Sequence, residues 1–120
     1  MRAKNDDLRD RLARASEINI TVTGRKSGRA ITVPIWFVLD GDKLKLLPVS
    51  GAETQWYKNV LQNPTIRVEA AGQKAELQAE PVTDAQQVSA VIEKFRAKYG
   101  AGDVKKYYSG LDAAVVAALP

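Results

Sequence analysis

Apolar and polar residues alternate along much of this chain, giving way in places to helical spacing. Ile18, Ile20 and Val22 alternate with Asn19, Thr21 and Thr23, the pattern of a half-buried strand. A glycine-bounded loop, Gly24–Gly28, ends it. Across residues 30–39, Ile31, Val33, Ile35, Phe37 and Leu39 share one face, while Thr32, Pro34, Trp36 and Val38 share the other. Pro34 has no N–H for a ladder, which points to an edge, a bulge or a position facing a ligand. Asp40-Gly41 is a tight hairpin signal, so residues 43–49 are expected to return antiparallel. Ile66, Val68 and Ala70 mark a further strand, Ala71-Gly72 a turn, and residues 74–82 the next strand.

Helical signals flank these strands. Asn5 is placed to cap a helix opening with Asp6 and Asp7, whose apolar face carries Leu8, Leu12 and Ala15. Residues 53–62 predict a short helix with Trp56, Tyr57, Val60 and Leu61 grouped, stopped by Asn63-Pro64. Asp84 caps the clearest helix, where Val88, Val91, Ile92, Phe95 and Tyr99 recur before Gly100. Residues 103–109 read as one more helical turn. Residues 113–119 are ambiguous by period, and Val115 and Val116 favour a closing strand. The sum is about six strands, mostly linked as hairpins, in a mainly β chain with flanking helices (α+β). An antiparallel barrel fits this better than a parallel sheet. One domain is expected over 1–120: an N-terminal helix at 1–16, a barrel core at 18–82, and a helix with closing strand at 84–120.

The 120-residue length suits a single modest core. No apolar run is long enough to span a membrane, and the charged N-terminus does not read as a secretory signal, so a cytoplasmic protein is expected. Cys 0 and His 0 remove thiol nucleophiles, disulfides, the usual zinc sites and the commonest proton shuttle. No metal site is expected, and no residue stands out as a catalytic acid or base. A bound cofactor would carry the hard chemistry and leave the protein to orient it, an arrangement this composition fits as well as it fits a non-enzyme. The net charge of +4 favours an anionic partner of some kind.

Arg25, Lys26 and Arg29 fall within five residues, bracketed by Gly24 and Gly28, with Ser27 adding a hydroxyl. Glycines let backbone approach an anion closely and arginine grips phosphate bidentately. The alternative is a solvated hairpin loop of ordinary composition. A P-loop is rejected: Asn19 stands where its first glycine belongs, and Arg25-Lys26-Ser27 follows Gly24.

Thr23-Gly24-Arg25-Lys26-Ser27-Gly28, Pro34, Asp40-Gly41-Asp42, Ser50-Gly51, Trp56-Tyr57-Lys58-Asn59 and Asn63-Pro64 follow one another in an order that resembles the deazaflavin-dependent nitroreductase family. The resemblance runs from about Ile18 to Val82, with residues 115–120 similar to that family's closing strand. It implies a six-stranded antiparallel split β-barrel, a homodimer, and a cofactor near the subunit interface, either 8-hydroxy-5-deazaflavin coenzyme F(420) or FMN. Arg25, Lys26, Ser27 and Arg29 would meet the phosphate. Pro34 and Trp36 would line the ring system, the backbone at Ser50 and Gly51 would touch the ring or its chain, and Trp56 and Asn59 would close the pocket. The implied activity is hydride transfer to a small electrophilic or unsaturated substrate. In one respect the chain departs from the family pattern: Ser50-Gly51-Ala52-Glu53 is short and supplies an acid where a lysine is usual, which favours FMN with its single phosphate.

Bland readings stand beside these. Trp36 is core or cofactor wall, Trp56 and Tyr57 are helix-to-barrel packing, and Asn59 is an ordinary residue of its helix. Tyr107-Tyr108 beside Lys105-Lys106 is an amphipathic surface turn or a substrate-side lid. A non-catalytic cofactor carrier is the main alternative function. Single-stranded nucleic acid is the lesser one, because Lys43, Lys45, Arg67 and Lys74 do not interleave with aromatics.

Overall fold

The computed structural model describes residues 4–119, with side chains from Leu8 onward. The expected Asn5 cap and the Asp6-Asp7 pair lie outside the described side chains. Helix α1 (Lys4–Arg14) leads into β1 (Ile18–Thr23), whose burial alternates as its sequence does. Then come β2 (Ala30–Ile35), β3 (Phe37–Asp40) and β4 (Lys43–Leu46). A single 3-10 turn (Gly51–Glu53) precedes α2 (Gln55–Gln62). Strands β5 (Thr65–Ala70) and β6 (Gln73–Val82), helices α3 (Ala85–Tyr99) and α4 (Ala101–Tyr107), and strand β7 (Ala114–Ala118) complete the chain.

All strand pairs are antiparallel, in the order β2-β1-β5-β6-β7-β4-β3. Strand β6 serves two neighbours: its first part pairs β5 from Gln73 to Gln78, and its end, Ala79 to Val82, pairs β7. The two outermost strands, β2 and β3, are consecutive in sequence and separated only by Trp36. The sheet therefore rolls up and is closed at its seam by the covalent chain rather than by a ladder, the half-barrel arrangement of a split barrel.

There are seven strands where six were expected, because residues 30–39 do not form one strand. Pro34 cannot extend the ladder, and beyond Trp36 the chain changes partner from β1 to β4. The last turn of α3 holds the break. The Phe37 N–H donates to Tyr99 Oη (3.0 Å), Tyr99 Oη lies 2.8 Å from the carbonyls of Phe37 and Ser16, and Lys98 Nζ donates to the Phe37 carbonyl (2.9 Å). The alternation runs straight through the break: Val33, Ile35, Phe37 and Leu39 pack on one core, Trp36 and Val38 on another. Phe37 and Val38 are both buried, since this half of the sheet is covered on both sides, whereas Ile31 on edge strand β2 stays 39% exposed.

The core inside the roll is built from Ile20, Val22, Phe37, Leu44, Leu46, Ile66, Val68 and Val115, closed by Leu8 and Leu12 of α1 and by Trp56, Tyr57 and Val60 of α2. Leu61, expected with that α2 group, faces solvent instead, one step off the buried stripe. A second core packs α3 and α4, through Val88, Val91, Ile92, Phe95 and Val104, onto Val38, Leu47 and Ala114. The Asp84 carboxylate accepts from the Gln87 N–H (3.0 Å), the expected cap. No helix among the described residues is long and apolar enough to cross a membrane.

Candidate functional site

The basic loop between β1 and β2 is a closed turn. The Gly24 N–H donates to the Arg29 carbonyl and the Gly28 N–H to the Gly24 carbonyl, both at 2.8 Å. Gly28 has φ +72°, a conformation that suits glycine. The Arg29 N–H donates to Ser27 Oγ (3.2 Å), which leaves the Ser27 hydroxyl proton free to point outward. Lys26, Ser27 and Arg29 are exposed, and Arg25 is half-buried.

Arg25 is the anchored member. Its backbone N–H (3.0 Å) and its Nη1 (2.9 Å) both donate to Asn59 Oδ1, and its Nη2 donates to Gln55 Oε1 (2.8 Å). Helix α2 thus fixes the guanidinium with neutral acceptors alone. Among the described residues no carboxylate pairs with Arg25, Lys26 or Arg29; the ion pairs lie elsewhere, Asp40 with Lys45 and Lys94, Glu53 with Lys58, and Glu93 with Arg96. Sequence reasoning had brought Asn59 to a pocket rim. The structure places it 4% exposed beneath the loop, as the residue that positions Arg25.

Pro34 and Trp36 meet at a second place, a cavity of about 320 Å³ lined also by Glu17, Ile35, Leu47, Val49, Tyr107 and Tyr108. The Trp36 indole is stacked on Tyr99 (centroids 4.3 Å, planes 9° apart) and meets Tyr107 and Tyr108 edgewise at 5.6 and 6.1 Å. Tyr108 is buried and Tyr107 half exposed, one ring in and one out, as an amphipathic turn places them. Burial, with a lesser push from Tyr99, holds the Tyr108 phenol far above its ordinary value. The lining of this cavity does not include the basic loop. Along β2, Ala30 and Pro34 are four residues apart, ~13 Å at strand rise.

Ser50 and Gly51 sit beside Val49 at the edge of this region, with their amides already used. The Ser50 N–H donates to Thr54 Oγ1 (2.8 Å), the Gly51 N–H to the Pro48 carbonyl (3.1 Å), and the Ala52 N–H to Asp112 Oδ1 (3.0 Å). Gly51, at φ +58°, packs so closely that a Cβ there would lie 2.0 Å from Asp112 Oδ1. Glu53 is tied to Lys58 (3.1 Å), which neutralises the acid that set this loop apart. Trp56 is buried in the barrel core, edge-on to Tyr57. The predicted residues therefore form two groups, Arg25 with Asn59 and Pro34 with Trp36, with Trp56 beneath.

Sequence reasoning missed Gln55, Glu17 and Val49, and did not join Tyr107 and Tyr108 to Trp36. Contacts across some seventy positions leave no local pattern to find them by.

A family model for "uncharacterized protein conserved in bacteria" matches residues 8–117, nearly the whole described chain. The chain belongs to the DUF2255 family. The DUF2255 chain shares its fold with solved structures at low identity. It is similar to an F420-H2 dependent reductase, FDR-A, at 20% identity and TM-score 0.66, over 85% of this chain and 93% of that one. A structure described as a domain-swapped dimer matches at 19% and TM-score 0.68, covering 96% and 99%. HutZ, the heme storage protein from Vibrio cholerae, matches at 15% and TM-score 0.69, covering 96% and 88%. The split-barrel fold is common to all of them, and at these identities the likeness stops at the fold.

Proposed function

We propose that this chain binds a phosphate-bearing flavin-type cofactor, coenzyme F420 or FMN, and serves as a nitroreductase-like oxidoreductase acting on a small electrophilic or unsaturated substrate. The observation that carries the reading is Arg25, a half-buried guanidinium fixed by Asn59 and Gln55 and paired with no acid among the described residues. A preset cation with spare donors, flanked by Lys26, Arg29 and the Ser27 hydroxyl, fits a phosphate. The named requirement of FDR-A for F420-H2 supports the same cofactor class.

In this reading the phosphate lies on the loop and the planar ring against Pro34 and Trp36. The intervening β2 sets a separation that an extended cofactor chain would bridge. The Ser50-Gly51 corner shapes the wall without lending amides, and Trp56 supports α2 from behind. When bound in reduced form, the cofactor supplies the hydride, while the apolar lining keeps water from the ring. Homodimerisation belongs to the same proposal: Ile31, Val49 and Tyr107 are large exposed apolar groups at or near edge strand β2, which a second copy would cover.

Titration with F420 and FMN, followed by fluorescence, tests the cofactor. Micromolar binding of one of them, weakened roughly tenfold or more by Arg25→Ala, is expected, about the worth of a charged hydrogen-bonded contact. Binding of neither, with Arg25→Ala indistinguishable from the parent, overturns the reading. A non-catalytic carrier is the second reading, favoured by a Trp36 cavity whose lining is apolar and aromatic apart from Glu17. Tight binding with no oxidation by electrophilic substrates would select it.

A further inference from the structure

The lining of the cavity at Trp36 differs in kind from the basic loop: aromatic and apolar side chains with a single acid. Glu17 is its one charged lining residue, and the remainder is Pro34, Ile35, Trp36, Leu47, Val49, Tyr107 and Tyr108. An anionic group placed there would face a carboxylate and the electron-rich faces of aromatic rings. The edgewise angles of Tyr107 (78°) and Tyr108 (62°) to the indole set ring planes steeply around one space, which is how aromatic side chains surround a cation.

One of the chain's own ammonium groups already lies on these rings: Lys106 Nζ stands 5.3 Å from the Tyr107 ring centroid. Lys98 Nζ is held instead over the Phe37 ring (3.6 Å) and on the Phe37 carbonyl, 5.1 Å from the Tyr99 ring that stacks on Trp36. The Glu17 carboxylate is near enough to Tyr99 to help raise its phenol. Glu17 is thus the acid in the lining, Lys106 the cation on a lining ring, and Lys98 a cation held behind Tyr99 on Phe37.

We propose that this cavity binds a small organic cation, a substituted ammonium on an apolar body, through the Trp36, Tyr107 and Tyr108 rings with Glu17 as counter-charge. This goes beyond the function proposed above: it is a property of the cofactor-free chain, and because the cavity holds one compact group, a cofactor ring laid against Pro34 and Trp36 would compete with the cation for it. The volume of about 320 Å³ sits at the small end of ligand pockets, ~300–1,000 Å³. One compact head group fits such a space.

The test compares choline with its uncharged carbon isostere, 3,3-dimethylbutan-1-ol, and with the anion 3,3-dimethylbutanoate, by NMR titration of the cofactor-free protein. Choline is expected to bind about tenfold or more tightly than the alcohol, with its methyl signal moved upfield by the rings, and the anion more weakly still. Glu17→Gln and Tyr107→Ala each remove most of that preference, and neither side chain belongs to the core. Lys106→Gln takes away an internal competitor and strengthens choline binding. Arg25→Ala, which tests the phosphate site, leaves choline binding unchanged, so failure of the cofactor reading and failure of this inference are separable. Equal affinity for choline and the alcohol overturns the inference, as does a preference that Glu17→Gln leaves intact.

Discussion

Asn59 is 4% exposed, and its Oδ1 accepts two of the hydrogen bonds by which Arg25 holds the basic loop to α2, the others going to Gln55. Asn59→Ala leaves those donors without their acceptor. A loss of ~1–3 kcal/mol in denaturant stability is expected, along with weaker phosphate binding even though Arg25 is intact. The phenols give a second prediction. Burial raises Tyr108, Tyr99 and Tyr57 above the ordinary value, so the folded chain keeps protons that the unfolded chain releases near pH ~10. Above that pH the unfolded state binds fewer protons than the native one, and stability falls as pH rises. Tyr108→Phe should shrink the alkaline loss, read as denaturant midpoints at about pH 8 and about pH 10.5 that lie closer together than in the parent. The triple cation Arg25, Lys26 and Arg29 was legible from sequence, because local charge density needs no fold to be seen. Its anchoring was not, since Gln55 and Asn59 are thirty or more positions away and the pattern of α2 marks only its apolar stripe.

At the scale of elements, the alternation of β1 and the period of α3 gave those segments away, and the Asp84 cap behaved as its residue type suggests. The segment from 30 to 40 kept its alternation across the break and yet is two strands. A period-2 pattern records which face is apolar and is blind to a change of partner, so one apparent strand conceals two. What makes the break tolerable lies far away, in Tyr99 and Lys98 at the end of α3. Tyr99→Phe keeps the ring stacked on Trp36 but strips the hydroxyl from the Phe37 N–H. A destabilisation of ~1–3 kcal/mol is expected, with amide exchange accelerated first at Phe37. Uniform acceleration through β3 and β4 would mean that the hydroxyl does not hold the break.

For the whole molecule, an edge strand such as β2 presents unpaired backbone and incompletely covered apolar side chains, and a second copy would satisfy both. Ile31→Lys puts a charge on that edge without touching either core. The expected result is a shift from dimer to monomer in sedimentation, with the thermal midpoint moving by only a few degrees, ~1 kcal/mol or less. The Trp36 seam has a consequence of a different kind. Because β2 and β3 share a peptide chain but no hydrogen-bonded ladder, the two halves of the roll are joined there like the covers of a book at its spine. Slight opening along that line costs no backbone hydrogen bond between them. It would be resisted chiefly by the aromatic stack and the Tyr99 clasp, so those few side chains set how wide the neighbouring cavity can gape.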